Sequence, residues 1–345
     1  MESTILDSLE GTRGTQISAT SILQLIGNTP LEPINLMING KARTVHLKLE
    51  SGNLTGSMKM RTGLALMQHL AEQGKLHRNS VIIESTSGNL GVALALLCQT
   101  YQYQFVAVID PKTTPENIQK MRAYNAQIEL VDQPDQVGGY LLSRLARIQE
   151  LCQQRPEYVW TDQYGSPANP QIHYTSTGPE VYRQMDGRVD AVFVPVSTGG
   201  TLTGIGRYFR EASPATRIIG VDAWGSVAFG GTPAPRKLTG IGSSRQSAFI
   251  TRDIYDLHML VKDEEAFAFC RSLFLATGIK VGGSSGATLA ACVRHLQDQP
   301  ELEHVVCICA DDGENYNTSI FCDAWMEQHG FQLKDACAVE NIARV

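Results

Sequence analysis

The sequence predicts an α/β fold of two doubly wound domains, each a mostly parallel sheet covered by helices on both faces. The chain has 345 residues, which exceeds one core of ordinary size and fits two domains. Short apolar runs alternate with helical runs along most of the chain, and this alternation is typical of parallel sheets. Gly- and Ser-rich turns follow several of the apolar runs, at the end of the strands where such folds bind ligands.

The first half of the chain supplies one set of alternating elements. A turn over residues 26–31 leads into an edge-like strand, and an extended run over 44–50 precedes a helix over 59–74. The strands predicted after this helix cover 80–84, 105–110, 127–131 and 158–161, and the helices cover 89–101, 115–124 and 138–153. Residues 1–20 are polar and are predicted to form a loosely held arm.

The second half repeats the alternation. Strands are predicted over 191–196, 218–221, 257–261 and 305–310, and helices over 178–185, 201–211, 263–277, 286–296 and 320–328. A connection over 224–247 is rich in Gly, Pro and Ser and is too long for an ordinary loop. Long ordered connections of this kind usually belong to a functional site, so we expect this one to border the site.

Composition limits the classes of function. Hydrophobic residues make up 43% of the chain and charged residues 19%, which is typical of a globular protein. The net charge of −6 and the absence of a basic cluster argue against nucleic-acid binding. No apolar run is long enough to span a bilayer and the N-terminus lacks a secretory signal, so a cytoplasmic protein without a membrane partner is expected. The eight cysteines form no CxxC pair and the eight histidines lack ligand spacing, so we expect packing cysteines and no metal site.

Lys59 is the candidate catalytic residue. It stands on the first turn of a predicted helix, behind a loop of Ser, Gly, Asn and Thr over 51–56. The positive end of the helix dipole disfavours an ammonium there, which suits an amine nucleophile or an imine. The simpler interpretation is an exposed lysine at a helix start. A second Gly-rich turn, over 195–201, favours the catalytic interpretation, because an imine-forming lysine and a separate phosphate cradle are what a pyridoxal phosphate enzyme needs.

Three further strand-to-helix turns carry candidate binding residues. Thr86, Ser87 and the backbone around Gly88 predict an anion site suited to a carboxylate, although Ser87 can also be an ordinary N-cap. Residues 197–201 predict a phosphate nest, without the ending of a P-loop or the spaced glycines of a dinucleotide site. Residues 282–286 place a serine hydroxyl where it can meet a ring nitrogen or cap a helix. Only the conjunction of these turns with Lys59, in this order, is specific.

The motifs together resemble the cysteine synthase / cystathionine β-synthase family of fold-type II pyridoxal phosphate enzymes, over roughly residues 20–328. The matching motifs are Gly-Asn-Thr-Pro-Leu (27–31), Gly-Ser-Met-Lys-Met-Arg (56–61), Ser-Thr-Ser-Gly-Asn (85–89), Asn-Pro (169–170), Ser-Thr-Gly-Gly-Thr (197–201), Gly-Ile-Gly (240–242) and Gly-Gly-Ser-Ser-Gly (282–286). The resemblance implies a tryptophan synthase β-like fold with the cofactor in an interdomain cleft. It also implies a large domain (1–47 and 163–345) that binds the cofactor phosphate and a smaller, mobile domain (48–162) that binds the substrate carboxylate. A homodimer is the family expectation.

The resemblance also implies roles by position. Lys59 would bind the cofactor as a Schiff base, Asn89 would contact its 3′-oxygen and Ser284 would face its pyridine nitrogen. The cofactor phosphate would be held by Ser197, Thr198, Gly199, Gly200 and Thr201. The expected substrate contacts are Ser85, Thr86, Ser87, Gln163, Tyr164 and Gly240.

Within the family, several local features resemble synthases that join O-phospho-L-serine to the amine of L-glutamate, on the route to 2,3-diaminopropionate and siderophores. These features are Val-Gly-Gly-Tyr-Leu (137–141) before a helix with Arg144, Asp-Gln-Tyr (162–164), Val-Asp-Ala-x-Gly-Ser-Val (221–227) and Gly-Ile-Gly-Ser-Ser-Arg (240–245). A phosphate dianion and two glutamate carboxylates need cationic partners, and Arg144 and Arg245 are the candidates. Either arginine can instead form a surface ion pair.

The sequence departs from ordinary cysteine synthases at four positions near the motifs. Tyr164, Ser197, Leu90 and Met60 stand where such enzymes usually have Phe, Gly, Thr and Asp. The first two changes add hydroxyls and the third adds an apolar group beside the predicted site, which argues for a nucleophile other than sulfide. Three alternatives stay open: a cysteine synthase using O-acetylserine or O-phosphoserine with sulfide, a related synthase using another amine, and a non-catalytic regulator that binds pyridoxal phosphate.

Overall fold

The computed structural model describes residues 22, 24–135, 139–331 and 342–345. The chain divides into two compact units. Unit 1 comprises the described residues up to Gly27, Asn53–Thr55 and Lys59–Asn169, and unit 2 comprises Asn28–Gly52, Gly56–Met58 and Pro170–Val345. The predicted N-terminal arm lies outside the described residues. None of the helices in the described ranges is long and apolar enough to cross a bilayer.

Strands and helices are numbered along the whole chain. The strands are β1 (Leu31–Ile38), β2 (Lys41–Leu49), β3 (Val81–Ser85), β4 (Gln104–Ile109), β5 (Gln127–Leu130), β6 (Tyr158–Trp160), β7 (Ala191–Pro195), β8 (Arg217–Ala223), β9 (Leu257–Val261), β10 (Val305–Cys309) and β11 (Ile342–Arg344). The helices are α1 (Lys59–Glu72), α2 (Asn89–Thr100), α3 (Pro115–Ala123), α4 (Leu141–Gln154), α5 (Ala168–Ile172), α6 (Gly178–Gln184), α7 (Gly200–Ala212), α8 (Asp263–Thr277), α9 (Gly283–Asp298) and α10 (Asp323–Gln328). A π-helical turn, His173–Thr177, joins α5 to α6.

Unit 1 is built on a four-stranded sheet in the order β5-β4-β3-β6. Every strand pair in it is parallel, so all four strands end at the same edge. β3 is buried at every position, because helices cover both faces of a central parallel strand. Its side chains and those of β4 pack against α4 through Ile148 and Leu151. The loops that follow β3, β4 and β6 therefore meet at one edge of the sheet.

Unit 2 is built on a seven-stranded sheet in the order β11-β1-β2-β10-β7-β8-β9. In this sheet, neighbouring strands among β2, β10, β7, β8 and β9 are parallel. β1 is antiparallel to both β2 and β11. The two faces of the sheet pack into separate apolar clusters. A buried ion pair joins Lys48 Nζ to Glu180 at 2.8 Å, and the same ammonium donates to the backbone carbonyl of Thr29 at 2.8 Å. This network anchors the turn before β1.

The predicted α/β class with parallel sheets is confirmed, and the strands from β3 to β10 lie close to their predicted positions. The expectation that the first strand is an edge is wrong, because β11 pairs with it. The last predicted helix starts later than expected, at Asp323, since residues 316–322 form successive hydrogen-bonded turns. No helix or strand occurs over 224–247, so the predicted long connection is confirmed. Position 138, where the fourth helix was predicted to begin, lies outside the described residues.

Cysteines contribute to packing in the described part of the chain. Seven cysteines are free there, and Cys337 lies outside the described residues. The buried ones are Cys98, Cys270, Cys292, Cys307 and Cys309. Burial raises the pKa of the Cys98 and Cys270 thiols, because the charged thiolate loses its hydration. Both thiols are therefore held in the unreactive protonated form.

Candidate active site

The turn between β3 and α2 is the first candidate binding element of unit 1. The residue that caps α2 is Gly88, and no side chain accepts a capping hydrogen bond there, so the interpretation of Ser87 as N-cap is wrong. Instead, the Thr86 hydroxyl accepts from the Gly91 backbone N–H at 2.8 Å, and the Thr86 N–H donates to the Val108 carbonyl at 3.0 Å. The Ser85 hydroxyl is buried and has no hydrogen-bond partner within the described residues. This turn keeps polar groups available for a ligand.

Glu84 lies directly beneath this turn and was not singled out from the sequence. Its carboxyl is fully buried. It accepts hydrogen bonds from the Ser85 N–H (2.8 Å), the Gln163 N–H (3.1 Å), the Trp160 indole (3.4 Å) and the Thr161 hydroxyl. Burial raises the pKa of Glu84 to about 7, and these donors oppose the rise. A single carboxyl thus ties the loop after β3 to the loop after β6.

Gln163 and Tyr164 follow β6 at the same edge of the sheet. Besides its backbone contact with Glu84, the Gln163 side-chain amide donates to the Ser85 carbonyl at 2.8 Å. The Gln163 backbone carbonyl accepts from the Asn169 side-chain amide at 2.7 Å. A primary amide carries two N–H groups, so Gln163 keeps a second donor for a carboxylate. The structure therefore brings Gln163 and Ser85 together, with the half-buried Tyr164 next along the chain.

Arg144 on α4 is buried, with an exposed fraction of 8%. Its Nε lies 3.4 Å from an Asp110 carboxylate oxygen, just beyond β4, so the alternative of a surface ion pair is wrong. Within the described residues, Arg144 Nε and Nη1 make no hydrogen bond. Unsatisfied N–H groups on a buried guanidinium are costly, and an anionic ligand would remove that cost.

Lys59 is the first residue of α1 and is half-buried. The neighbouring Met60 is fully buried, and the Thr55 hydroxyl lies 3.8 Å from its sulfur. Met60 therefore places an apolar side chain in the interior of unit 1. Leu90 is also buried, and a Cβ added at Gly63 of α1 would lie 3.7 Å from it. Leu90 thus contributes to the packing of α2 against α1.

The turn between β7 and α7 is the candidate phosphate nest of unit 2. Gly199 has φ +92°, and a Cβ there would lie 2.2 Å from the Ser247 hydroxyl, so only glycine fits. The Thr198 hydroxyl accepts from the Gly200 N–H at 3.3 Å, and Ser247 donates to the Thr198 carbonyl at 2.6 Å. Thr201 stands on the first turn of α7 and is buried. Backbone N–H groups at a helix start behind glycines are suited to an anion.

Ser197 connects this nest to the long connection. Its hydroxyl donates to the Gly242 carbonyl at 3.2 Å, and the Gly242 N–H donates to the Val196 carbonyl at 2.7 Å. The candidate substrate residues Gly240 and Arg245 lie on either side of Gly242 in the sequence. Gly240 is exposed with φ +76°, and Arg245 is half-buried. Residues 224–247 were expected to border the functional site, and within unit 2 they contact the candidate nest at Ser197 and Thr198.

His173 is a second residue that sequence reasoning missed. It lies in the π-helical turn and is fully buried. Its Nε2 lies 3.3 Å from the Thr201 hydroxyl, and its Nδ1 lies 2.9 Å from the Thr177 hydroxyl. The only signal in the sequence is its place shortly after the Asn169-Pro170 motif, because a lone histidine has no diagnostic pattern.

Ser284 is on the first turn of α9, with an exposed fraction of 1%. The capping position is occupied by Gly282 and no side chain caps the helix, so the capping interpretation of this serine is wrong. Within the described residues its hydroxyl has no hydrogen-bond partner. Buried hydroxyls are normally paired, so an orphan here points to a ligand atom.

These residues fit pyridoxal phosphate. The glycine-containing nest of unit 2 suits a phosphate, because it lies at the start of α7, where backbone N–H groups are available to an anion. The orphaned Ser284 hydroxyl suits a heterocyclic nitrogen, and Lys59 supplies the amine that an aldehyde cofactor requires. The polar edge of unit 1, with Ser85, Gln163 and Arg144, suits an amino-acid substrate with anionic groups.

Comparisons with known proteins agree with this chemistry. Residues 22–311 match the family described as pyridoxal-phosphate dependent enzyme. An N-(2-amino-2-carboxyethyl)-L-glutamate synthase of Ralstonia nicotianae is 40% identical over 308 residues, which cover 89% of this chain and 91% of that protein. A protein of the same name from Cupriavidus metallidurans is 38% identical over 326 residues, which cover 94% of each chain.

Solved structures resemble the fold over nearly the same extent. A hydrogen sulfide-producing enzyme of Fusobacterium nucleatum has a TM-score of 0.81 at 30% identity and covers 86% of this chain and 99% of its own. An O-acetylserine dependent cystathionine beta-synthase of Helicobacter pylori has a TM-score of 0.79 at 30% identity and covers 90% and 99%. The chain therefore belongs to the pyridoxal-phosphate dependent enzymes of fold type II, in the branch of the β-replacing synthases.

Proposed function

We propose that the chain joins O-phospho-L-serine to the amine of L-glutamate, giving N-(2-amino-2-carboxyethyl)-L-glutamate and phosphate. The observation that carries the proposal is the likeness to two synthases of that product, at 38% and 40% identity over about nine-tenths of the chain. The product is a precursor of 2,3-diaminopropionate, and we place the reaction in siderophore biosynthesis. The homodimer expected from the family resemblance and the cytoplasmic location expected from the sequence both stay predictions.

In this proposal, Lys59 and Asn89 of unit 1 bind pyridoxal phosphate together with Ser284 and the nest Ser197–Thr201 of unit 2. Unit 2 would then be the cofactor-phosphate domain and unit 1 the mobile substrate-carboxylate domain. When bound, the cofactor withdraws electrons from the substrate Cα. The Ser284 hydroxyl would donate to the ring nitrogen without protonating it, because an alcohol is a very weak acid. A ring nitrogen that stays unprotonated favours prompt loss of the β-substituent.

Lys59 is proposed as the general base. Its amine would remove the proton from the substrate Cα and later return a proton to the same carbon. Loss of that proton would allow phosphate to leave from Cβ with the electrons of the broken bond, and the amine of glutamate would then bond to Cβ and give up a proton. Thr86, Ser87, Ser85 and Gln163 are proposed to hold the substrate carboxylate during both halves of the reaction.

Arg144, Arg245, Gly240 and Tyr164 are proposed to recognise the remaining parts of the substrates. The unsatisfied N–H groups of the buried Arg144 support its role with an anion. Sulfide needs no such partner, whereas a phosphate dianion and the carboxylates of glutamate do. The Ser197 hydroxyl positions the connection that carries Gly240 and Arg245.

The first prediction concerns the lysine. Purified protein treated with borohydride should carry the reduced cofactor on Lys59, because this is the lysine at the start of α1. Peptide mapping by mass spectrometry locates the label. The Lys59→Ala variant should carry no label and should bind the cofactor only noncovalently. A label on another lysine in the parent protein would overturn the assignment.

The second prediction concerns the substrates. Incubation with O-phosphoserine and a panel of amino acids should yield the glutamate adduct as the main product, read by mass spectrometry. O-acetylserine should be the poorer donor, because it lacks the dianion that the arginines are proposed to recognise. Faster turnover of O-acetylserine with sulfide would favour the cysteine synthase alternative. Cofactor binding without any product from either donor would favour the regulator.

A further inference from the structure

The imidazole of His173 links two buried hydroxyls in unit 2. Nδ1 faces the Thr177 hydroxyl at 2.9 Å, and Nε2 faces the Thr201 hydroxyl at 3.3 Å. His173 and Thr177 are fully buried, and Thr201 is 7% exposed. Thr201 is the last residue of the proposed phosphate nest. The chain Thr177–His173–Thr201 therefore leads from the interior of unit 2 to the nest.

The backbone is shaped to allow this contact. Gly204 follows Thr201 by one turn of α7. A Cβ at Gly204 would lie 2.3 Å from the Pro170 carbonyl oxygen and 2.6 Å from the His173 Cβ. Neither distance is compatible with a side chain, so glycine lets the π-helical turn approach α7 closely. His173 is thus held against α7 by main-chain packing as well as by its two hydrogen-bond partners.

We propose that His173 is a positioning residue that directs the Thr201 hydroxyl proton toward the cofactor phosphate. A threonine hydroxyl has one proton to donate and lone pairs that accept. Phosphate dianion oxygens only accept, so Thr201 can donate to them while it accepts from His173 only if Nε2 carries the ring proton. A Thr177 hydroxyl that donates to Nδ1 leaves the ring proton on Nε2. The inference rests on the proposed role of Ser197–Thr201 in phosphate binding.

The arrangement explains why a buried histidine stands behind an anion site. Hydrogen bonds to an ionised group are stronger than neutral ones, but their strength depends on a donor that is already oriented. Without His173, the Thr201 hydroxyl is free to rotate and to donate to other acceptors. The effect should concern the phosphate alone and should not extend to the ring of the cofactor.

Full-length protein, stripped of cofactor, is titrated with pyridoxal phosphate and with pyridoxal, which lacks the phosphate. Thr201→Val should weaken pyridoxal phosphate binding roughly tenfold to a hundredfold, as expected for a lost hydrogen bond to a charged group, and should leave pyridoxal binding unchanged. His173→Leu should reproduce most of this loss. The double variant should bind no more weakly than Thr201→Val alone, because both substitutions remove the same donor. His173→Gln keeps an N–H near the position of Nε2 and should recover part of the affinity.

Nitrogen-15 NMR of the holoenzyme gives a readout independent of affinity. We expect the His173 signals to show a protonated Nε2 and an unprotonated Nδ1, assigned by their loss in His173→Gln. Protonation on Nδ1 alone would overturn the inference. Equal weakening of both ligands by His173→Leu, or additive losses in the double variant, would show a merely structural role and would also overturn it. If Thr201→Val leaves both affinities unchanged, the phosphate assignment of the nest itself fails.

Discussion

At the scale of single residues, Glu84 shows how unit 1 holds its polar edge in place. The carboxyl is surrounded by donors from both loops that border the proposed carboxylate site. An ionised carboxylate accepts all of them, whereas a protonated one turns one oxygen into a donor. Burial nevertheless favours the protonated form, so the pKa of Glu84 rises to about 7. The residue is therefore poised between two protonation states near neutral pH.

This pKa predicts a pH-dependent stability. From the ordinary value of 4.5 up to about 7, the native state keeps a proton that the unfolded state has released. Rising pH therefore favours unfolding in this window, and the stability present below pH 4.5 is lost as pH rises through about 7. In Glu84→Gln, residue 84 does not titrate, so this pH-dependent loss of stability is absent. Its unfolding free energy relative to the parent should rise by roughly 3 kcal/mol between pH 4.5 and 8.

Urea unfolding of parent and variant at several pH values measures this difference. The lost hydrogen bonds of the amide give an offset that does not change with pH, so only the pH-dependent part is tested. The carboxyl of Asp222 in unit 2, whose pKa burial raises to about 6, contributes with the same sign to both proteins and cancels. Glu72→Gln, at an exposed position of α1, is the control. A difference between Glu84→Gln and the parent that stays constant with pH would contradict the prediction.

Individual site residues were predictable only where a turn motif carried them. The nest at Ser197–Thr201 and the polar turn after β3 follow from Gly, Ser and Thr between a strand and a helix. Glu84 lies inside strand β3 and His173 lies in the π-helical turn, so neither belongs to a turn motif. Gln163 and Thr201, which they contact, come from distant parts of the chain. The inward position of Leu90 was equally hidden, because the sequence does not say which face of α2 meets α1.

At the scale of elements, alternating patterns predicted most strands, because buried parallel strands are continuous apolar runs bounded by turn residues. The π-helical turn was missed. Its residues, His-Tyr-Thr-Ser-Thr, are polar and follow a proline, which indicates a loop more than a helix. β11 was missed because three residues carry no detectable pattern. In both cases, tertiary contacts decide the local structure.

The close approach of α7 to the π-helical turn gives a prediction for a variant at Gly204. Helix propensity alone would make Gly204→Ala stabilising by about 1 kcal/mol. The new methyl group would instead meet a backbone oxygen at 2.3 Å, and main-chain atoms cannot rotate away. Overpacking of this kind costs roughly 1–3 kcal/mol, so we expect net destabilisation of the variant in urea unfolding. Weaker binding of pyridoxal phosphate should accompany it, because His173 would be displaced. A stabilised variant would mean that α7 has room at this position.

At the scale of the whole molecule, neither unit is a single segment of chain. Unit 2 takes β1 and β2 from before α1 and the rest from after Asn169. In its sheet, β2 pairs with β10, and β1 lies between β2 and β11. The local sequence pattern predicted two α/β halves, and only the family resemblance implied a large domain made of two separate segments. Neither gave the strand order, because strand order within a sheet depends on packing that the local pattern does not contain. The strand order has a consequence for fragments of the chain.

Residues 170–345 contain most of unit 2 and should not fold alone. Without β1 and β2, the fragment loses five side chains that are at most 4% exposed: Ile34, Leu36, Ile38, Val45 and Leu47. Burying such a side chain contributes about 1.5–3 kcal/mol, so the loss is of order 10 kcal/mol. That is comparable to the entire stability of a typical domain. The fragment would also expose the unpaired edge of β10.

The test is circular dichroism and urea unfolding of residues 170–345, expressed alone and together with residues 28–58. Alone, the fragment should lack a cooperative unfolding transition and should aggregate through its open edge. With residues 28–58 supplied in trans, β1 and β2 can pair with β11 and β10, and a cooperative transition should return. Residues 59–169 hold the complete four-stranded sheet of unit 1 and serve as the comparison that keeps its strand pairs. A cooperative transition for residues 170–345 alone would mean that β7–β10 and their helices suffice, and that β1 and β2 only extend a sheet that is already stable.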